Sequence, residues 1–247
     1  MKGAGMNGLS DQQRAHVFGV LYLATFVTSI LGLWLYKPLL DNPVKYIAGT
    51  GQNNRIILGV LLELLLIVAN IGTAVVIFPI VRRQSEELAL GYVAARLVEC
   101  AFILVGIIAI LGIVTLQKNV AGTAEGTVAY TLKAIKDWTF LLGPGWVVGW
   151  GNGLILGYLM YKSELVPRPM AVLGLVGGVL VIVSGTLVLF GVAEKSGTFQ
   201  GLMTIPEGLW ELSLGVYCTW KGFRPSSPIL QAEARGDRIG PEAAAPA

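Results

Sequence analysis

Residues 56–80 read IILGVLLELLLIVANIGTAVVIFPI, twenty-five residues in which one charge, Glu63, interrupts an apolar run. An α-helix rises about 1.5 Å per residue, so this stretch reaches about 37 Å, enough to cross a hydrocarbon core of about 30 Å. It is too long and too continuous for a strand, and it does not alternate. The reading is a transmembrane helix that carries a glutamate and an asparagine, Asn70, on one face seven residues apart.

The rest of the chain agrees with that stretch. Of its 247 residues 54% are hydrophobic and 13% are charged, with a mean hydropathy of +0.69. A soluble domain carries about a quarter charged residues. The composition excludes an ordinary soluble globule, a disordered chain and a nucleic-acid binder. Six segments are long and apolar enough to span: 17–36, 56–80, 88–116, 138–161, 169–193 and 199–220. The fold expected is all-α, a single bundle of six transmembrane helices. The first segment is too long for a signal h-region and no A-x-A site follows, so it is read as a span.

Basic residues set the orientation. Lys2, Arg14, Arg82, Arg83, Lys162, Arg168, Lys221 and Arg224 fall on the side of the termini, which the positive-inside rule makes cytoplasmic. The opposite side has two longer loops, near 37–55 and 117–137, and a tight turn at 194–197. Those loops carry Lys37, Lys45, Lys118, Lys133 and Lys136, so the bias is moderate. The organisation expected is a cytoplasmic segment over 1–13, a transmembrane domain over 14–221 and a disordered cytoplasmic tail over 222–247, rich in Pro, Ala and charge. Trp34, Tyr36, Trp138, Tyr158, Tyr161 and Trp220 lie near span ends and read as an aromatic belt.

Gly145, Gly149, Gly153 and Gly157 recur every four residues in the fourth span and form a helix-packing ridge. Gly174 and Gly178 repeat the spacing in the fifth. The partner of the ridge is either a neighbouring helix of the same chain or a second copy, which would make a homo-oligomer. Pro144 is expected to kink the entry of that helix.

The polar residues inside spans are the most informative. A charge at mid-membrane costs at least about 2.5–3.5 kcal/mol. Five are kept: Glu63, Arg96, Glu99, Glu207 and Glu211, joined by Asn70 and Asn152. Arg96 and Glu99 are three apart, Glu207 and Glu211 four apart, so each pair shares a helix face. All can point into one bundle interior, spread over much of its depth. Four carboxylates then face one guanidinium. Arg96 pairs with Glu99 or with a glutamate of another helix, and the remaining carboxylates must be protonated, water-exposed or bound to a cation.

Much chemistry is missing. The aspartates are Asp11, Asp41, Asp137 and Asp237, none within an expected span, so an intramembrane aspartyl-protease dyad is not formed. His16 is the one histidine and Cys100 and Cys218 the two cysteines, which leaves no metal site, no Ser–His pair and no disulfide framework. His16 reads as a surface group and the cysteines as small core residues. No P-loop occurs, no mid-span lysine suits retinal, and no cofactor is expected.

LLELLLIVANIGTA (61–74), ALGYVAARLVE (89–99), DWTFLLGPG (137–145), GNGLILGYLMY (151–161), LVPRPMAVLGL (165–175) and PEGLWELSLG (206–215) resemble a bacterial membrane family known as domain of unknown function 4386, over most of residues 14–225. The resemblance implies a six-helix integral protein of the bacterial plasma membrane and no nameable activity. Its polar motif positions correspond to Glu63, Asn70, Arg96, Glu99, Asn152, Glu207 and Glu211. The function expected is a small-molecule or proton-linked carrier or ligand binder that uses these groups, with membrane lipids and a small molecule or proton as partners. A non-catalytic sensor or interaction module with a structural polar network is the alternative. A lipid-modifying enzyme using Glu207 and Glu211 as acid and base ranks third.

Overall fold

A computed structural model describes residues 8–49, 53–119, 123–195 and 197–235, and the described residues are helical with no strand. The first part of the expected N-terminal segment, 1–7, and the end of the tail, 236–247, lie outside the described residues. Helix α1 spans Asp11–Asp41 and opens on a capping box between Ser10 and Gln13. Helix α2, Pro43–Ala48, starts on Asn42, whose side chain accepts from the Lys45 amide, with proline in the first turn. Helix α3 covers Asn53–Val81 and α4 covers Glu86–Asn119, opened by Ser85 Oγ accepting from the Leu88 amide. Helix α5, Thr123–Leu142, runs on through two π-helical segments, Gly143–Val147 and Gly149–Leu156, into α6, Gly157–Ser163. Helices α7, Arg168–Leu189, α8, Thr198–Lys221, and α9, Pro228–Arg235, complete the chain.

Five of these elements are long and apolar enough to cross a membrane: Asp11–Asp41, Asn53–Val81, Glu86–Lys118, the continuous Gly126–Ser163, and Arg168–Leu189. Helix α8 matches them in length, but its polar residues keep it below them in apolarity.

The long helices form a closed ring. Going round it, α1 packs on α3, α3 on α4, α4 on the π-helical run, that run on α7, α7 on α8, and α8 back on α1. Each neighbour is antiparallel, as contacts such as Gly32 with Glu63 and Gly72 with Leu21 show for α1 and α3. Near the termini the ring is filled by Phe18, Tyr22, Ile77, Tyr92, Trp210 and Leu214. At the far end a second apolar cluster joins Tyr36, Tyr46, Ile56, Ile107, Ile110 and Ala129. Polar groups occupy the space between.

Four sequence expectations change here. The far-side stretch 117–137, read as a loop, is helix except at 120–122, which lies outside the described residues. Its mixed polar composition is that of an amphipathic helix packed on α4 and α2, not of a turn. The tail is not disordered throughout. Helix α9 buries Ile229 and Ala232, while Ser227 Oγ donates to the Ser163 carbonyl at 2.6 Å. Tyr36 is not in the aromatic belt, because it is fully buried with its hydroxyl on Glu63.

The glycine ridge changes too. Pro144 has no amide hydrogen to offer four residues back, and the Val148 amide donates to the Gly143 carbonyl five residues back. The wider turn takes Gly145 off the ridge, where a Cβ would meet only its own helix at Phe140 and Leu141. Gly149, Gly153 and Gly157 remain and face α7 of the same chain. Gly153 meets Gly178 so closely that the two backbones touch. The ridge is therefore spent inside the protomer. Gly174 instead receives the Trp210 ring.

Candidate functional site

The interior polar residues form three groups. The first lies between α3 and α5. Lys136 Nζ donates to both oxygens of Glu63, at 2.6 and 2.8 Å, and Tyr36 Oη donates to the same carboxylate at 3.0 Å. Gly106 of α4 makes room for this lysine, since a Cβ there would lie 2.9 Å from Lys136 Cδ. Lys136 is only 4% exposed. Lys133 and Asp137 flank it in the sequence, which gives this stretch a surface look.

The second group joins α3 and α4. Arg96 donates through Nη1 to Glu99 at 2.6 Å and through Nη2 to Asn70 Oδ1 at 3.0 Å. The Asn70 amide donates back to Glu99 at 3.1 Å, closing a loop of three side chains. The Thr73 hydroxyl lies 3.4 Å from Nη2. The guanidinium sits 5.5 Å from the centre of the Tyr22 ring, whose hydroxyl meets that of Tyr92. Paired and multiply hydrogen-bonded, Arg96 and Glu99 satisfy the condition under which charges tolerate burial.

The third group lies on the π-helical run and α8. The Asn152 amide donates to Glu211, and its backbone carbonyl accepts from Trp210 Nε1 at 3.0 Å. Among the described residues Asn152 Oδ1 has no hydrogen-bond partner. Glu207 is 3% exposed and packs against Gly153 and Gly177, and neither of its oxygens has a hydrogen-bond partner among the described residues.

The charge count is therefore two cations against four carboxylates, not one against four. Lys136 takes Glu63 and Arg96 takes Glu99. Glu207 and Glu211 have no cationic partner among the described residues. They also do not line one cavity. Although one turn apart, Glu211 lines the central cavity while Glu207 is wedged into the glycine crossing.

That cavity, of about 130 Å³, brings together Glu63, Asn70, Arg96, Glu99, Lys136 and Glu211. Five of the seven residues singled out from the sequence thus share one wall, and Asn152 and Glu207 stand behind it. Lys136 joins the lining, and Tyr36, Thr73 and Tyr22 contact the polar groups without lining the cavity. Spacing on one helix cannot report what another helix brings opposite. No cluster of three or more metal-ligating side chains occurs among the described residues. His16 contacts the Thr219 carbonyl on the exposed side of α1, and Cys100 and Cys218 are buried and free.

The lone position of Glu207 predicts an asymmetry. Glu207→Gln neutralises a buried carboxylate that has no hydrogen-bond partner among the described residues, so stability should be unchanged or gain about 1 kcal/mol. Glu99→Gln breaks a charge-assisted bond and should lose about 1.5–3 kcal/mol. Denaturant unfolding of both variants in one detergent compares them. Equal losses would mean that Glu207 has a partner.

A family model described as a domain of unknown function (DUF4386) matches residues 17–222. Comparison with curated proteins finds no match, and comparison with solved structures finds none.

Proposed function

The chain belongs to the DUF4386 family, and from that premise we propose a protein of the bacterial plasma membrane that binds a small cationic molecule or a proton in its central cavity and carries it across. In this reading the bundle has six spans, both termini are cytoplasmic, and α8 is the sixth span. Supporting the last point, Leu202, Ile205, Leu209, Leu212 and Val216 form a continuous exposed apolar stripe on α8. Its glutamates face the opposite way. A helix that is apolar outside and polar toward a bundle interior suits lipid despite its modest average hydropathy.

The observation that carries the binding reading is the charge balance at the cavity wall. Arg96 and Lys136 are each occupied by a carboxylate at 2.6 Å. Glu211 faces the same space with an amide as its hydrogen-bonding neighbour and, among the described residues, no salt bridge, since Arg96 in the same lining is bonded to Glu99. A half-buried carboxylate without a salt-bridge partner carries a desolvation cost, and a bound cation or proton removes it. Glu207 and Asn152, both with unpartnered oxygens, back Glu211 with further acceptors. The whole set of Glu63, Asn70, Arg96, Glu99, Asn152, Glu207 and Glu211 is proposed as the ligand- or proton-binding residues, with Lys136 added.

Native mass spectrometry in mild detergent tests this directly. The wild-type protein should carry a stoichiometric small species that is lost in both Glu211→Gln and Arg96→Ala. A bare wild-type protein, with variants that are only less stable, would instead support the second reading, a sensor or interaction module. The closed Arg96–Glu99–Asn70 loop favours that reading, because such a network also glues helices. The acid–base enzyme has least support, since Glu207 and Glu211 do not face one space.

A further inference from the structure

The central cavity is bounded by apolar packing toward the termini and also, on its α3–α4 side, toward the far end, where Leu66 and Ile103 of the second apolar cluster line it. Toward the termini it ends on the apolar cluster of Phe18, Tyr22, Tyr92, Trp210 and Leu214. Toward the far end it meets a second hollow of about 330 Å³, with which it shares Phe140 and Pro144. That hollow is lined by Asp137, Lys195, Gln200, Gly201 and Thr204 among others. Between the two runs a face of α8 without neighbours, because a Cβ on Gly201 or Gly208 would meet nothing within 4 Å. Gly201, Thr204, Gly208 and Glu211 follow one another at helical spacing, so the open strip leads from the hollow to Glu211. The facing wall in the inner cavity carries Thr25 and Ser29 of α1. At the mouth, Asp137 is held by Lys133 at 2.6 Å and by Lys195 at 3.3 Å, and Lys195 also lies 5.1 Å from the centre of the Trp138 ring.

We propose that this groove is the route by which a small cation reaches Glu211 from the far face, with the Asp137–Lys195 pair as its outer latch. The proposal rests on the binding reading above and adds direction, path and a gate. The latch suits release, since both its side chains are partly exposed and such pairs are weak. An arriving cation displaces Lys195 from Asp137, which Lys133 still holds at 2.6 Å, and Lys195 keeps the Trp138 face as a resting place. The route then offers oxygen acceptors: Asp137 at the mouth, the Thr204 hydroxyl, and Glu211 about 10 Å further along α8. On the other side, the Tyr22–Tyr92 floor closes the path, so the structure is the state open to the far face.

Thiol accessibility tests the route. Cys100 and Cys218 are buried and are replaced by alanine, after which single cysteines are placed at Gly208, where there is room, and at Ile205 on the exposed apolar stripe. Right-side-out membrane vesicles are treated with a trimethylammonium methanethiosulfonate or with its sulfonate counterpart. The cationic reagent should modify Gly208→Cys at least ten times faster than Ile205→Cys, and faster than the anionic reagent does. Adding Lys195→Ala should raise the rate severalfold further. Equal rates at Gly208→Cys and Ile205→Cys would overturn the route, and equal rates for the two reagents would overturn its preference for cations. Native mass spectrometry keeps the two ideas separable. A labelled groove in a protein that holds no ligand leaves the route standing and sinks the binding reading. A Glu211-dependent ligand in a protein whose Gly208→Cys is not modified sinks the route alone.

Discussion

Arg96→Ala should lower the unfolding free energy of the detergent-solubilised protein by about 3–5 kcal/mol. The guanidinium is 3% exposed and makes bonds to Glu99 and Asn70 at 2.6 and 3.0 Å. Its removal leaves Glu99 as a buried carboxylate with only the Asn70 amide as donor. The cost is chiefly that of an uncompensated charge, so it should shrink when the charge goes as well. Arg96→Ala combined with Glu99→Ala should therefore lose less than the sum of the two single variants. Denaturant titration followed by near-ultraviolet circular dichroism measures all three. A loss below about 0.5 kcal/mol for the single variant, the range of an ordinary surface substitution, would show that the network is not structural.

Gly153→Val should be still more disruptive. A Cβ at Gly153 would fall on Gly178 Cα, with the Gly178 amide nitrogen at 2.8 Å and Glu207 Oε2 at 2.9 Å. Backbone atoms cannot rotate away as a side chain does, so the π-helical run and α7 must separate. Overpacking a core costs about 1–3 kcal/mol where side chains can yield, and this site stands at or beyond the upper end. Little folded protein should elute at the wild-type position in size-exclusion chromatography. Gly208→Ala is the control on α8. Its Cβ meets nothing, and alanine gains up to about 1 kcal/mol in helix propensity. Similar elution of the two variants would mean that the glycine crossing does not hold these helices together.

Both sites show how unevenly the sequence reports its own structure. Glu63, Asn70, Arg96, Glu99 and Glu211 stand out because an ionisable or amide group in an apolar run is costly, and cost is legible in one dimension. Lys136 is chemically their equal, yet it hides in a polar stretch where a lysine costs nothing. Only the packing of α5 on α4, across Gly106, carries it inside. Tyr36 misleads for the same reason. A tyrosine near a span end fits an interfacial belt, and only the approach of α3 turns it onto Glu63. Gly145 shows a different limit. Its spacing fits an α-helical ridge, but Pro144 and its glycine neighbours widen the helix and rotate it away.

By itself the sequence determined that this chain is helical, that apolar helices of membrane-spanning length dominate it, and which expensive residues it keeps. These follow from composition and local period, because hydrocarbon demands long helices and penalises each exposed charge separately. The tertiary structure decided who neutralises whom. It set Lys136 on Glu63 and Arg96 on Glu99, left Glu207 and Glu211 without a salt bridge among the described residues, spent the glycine ridge on α7, and packed apolar side chains toward the termini. Ion pairing and cavity shape depend on distances between helices far apart in sequence, and no periodicity within one helix encodes them.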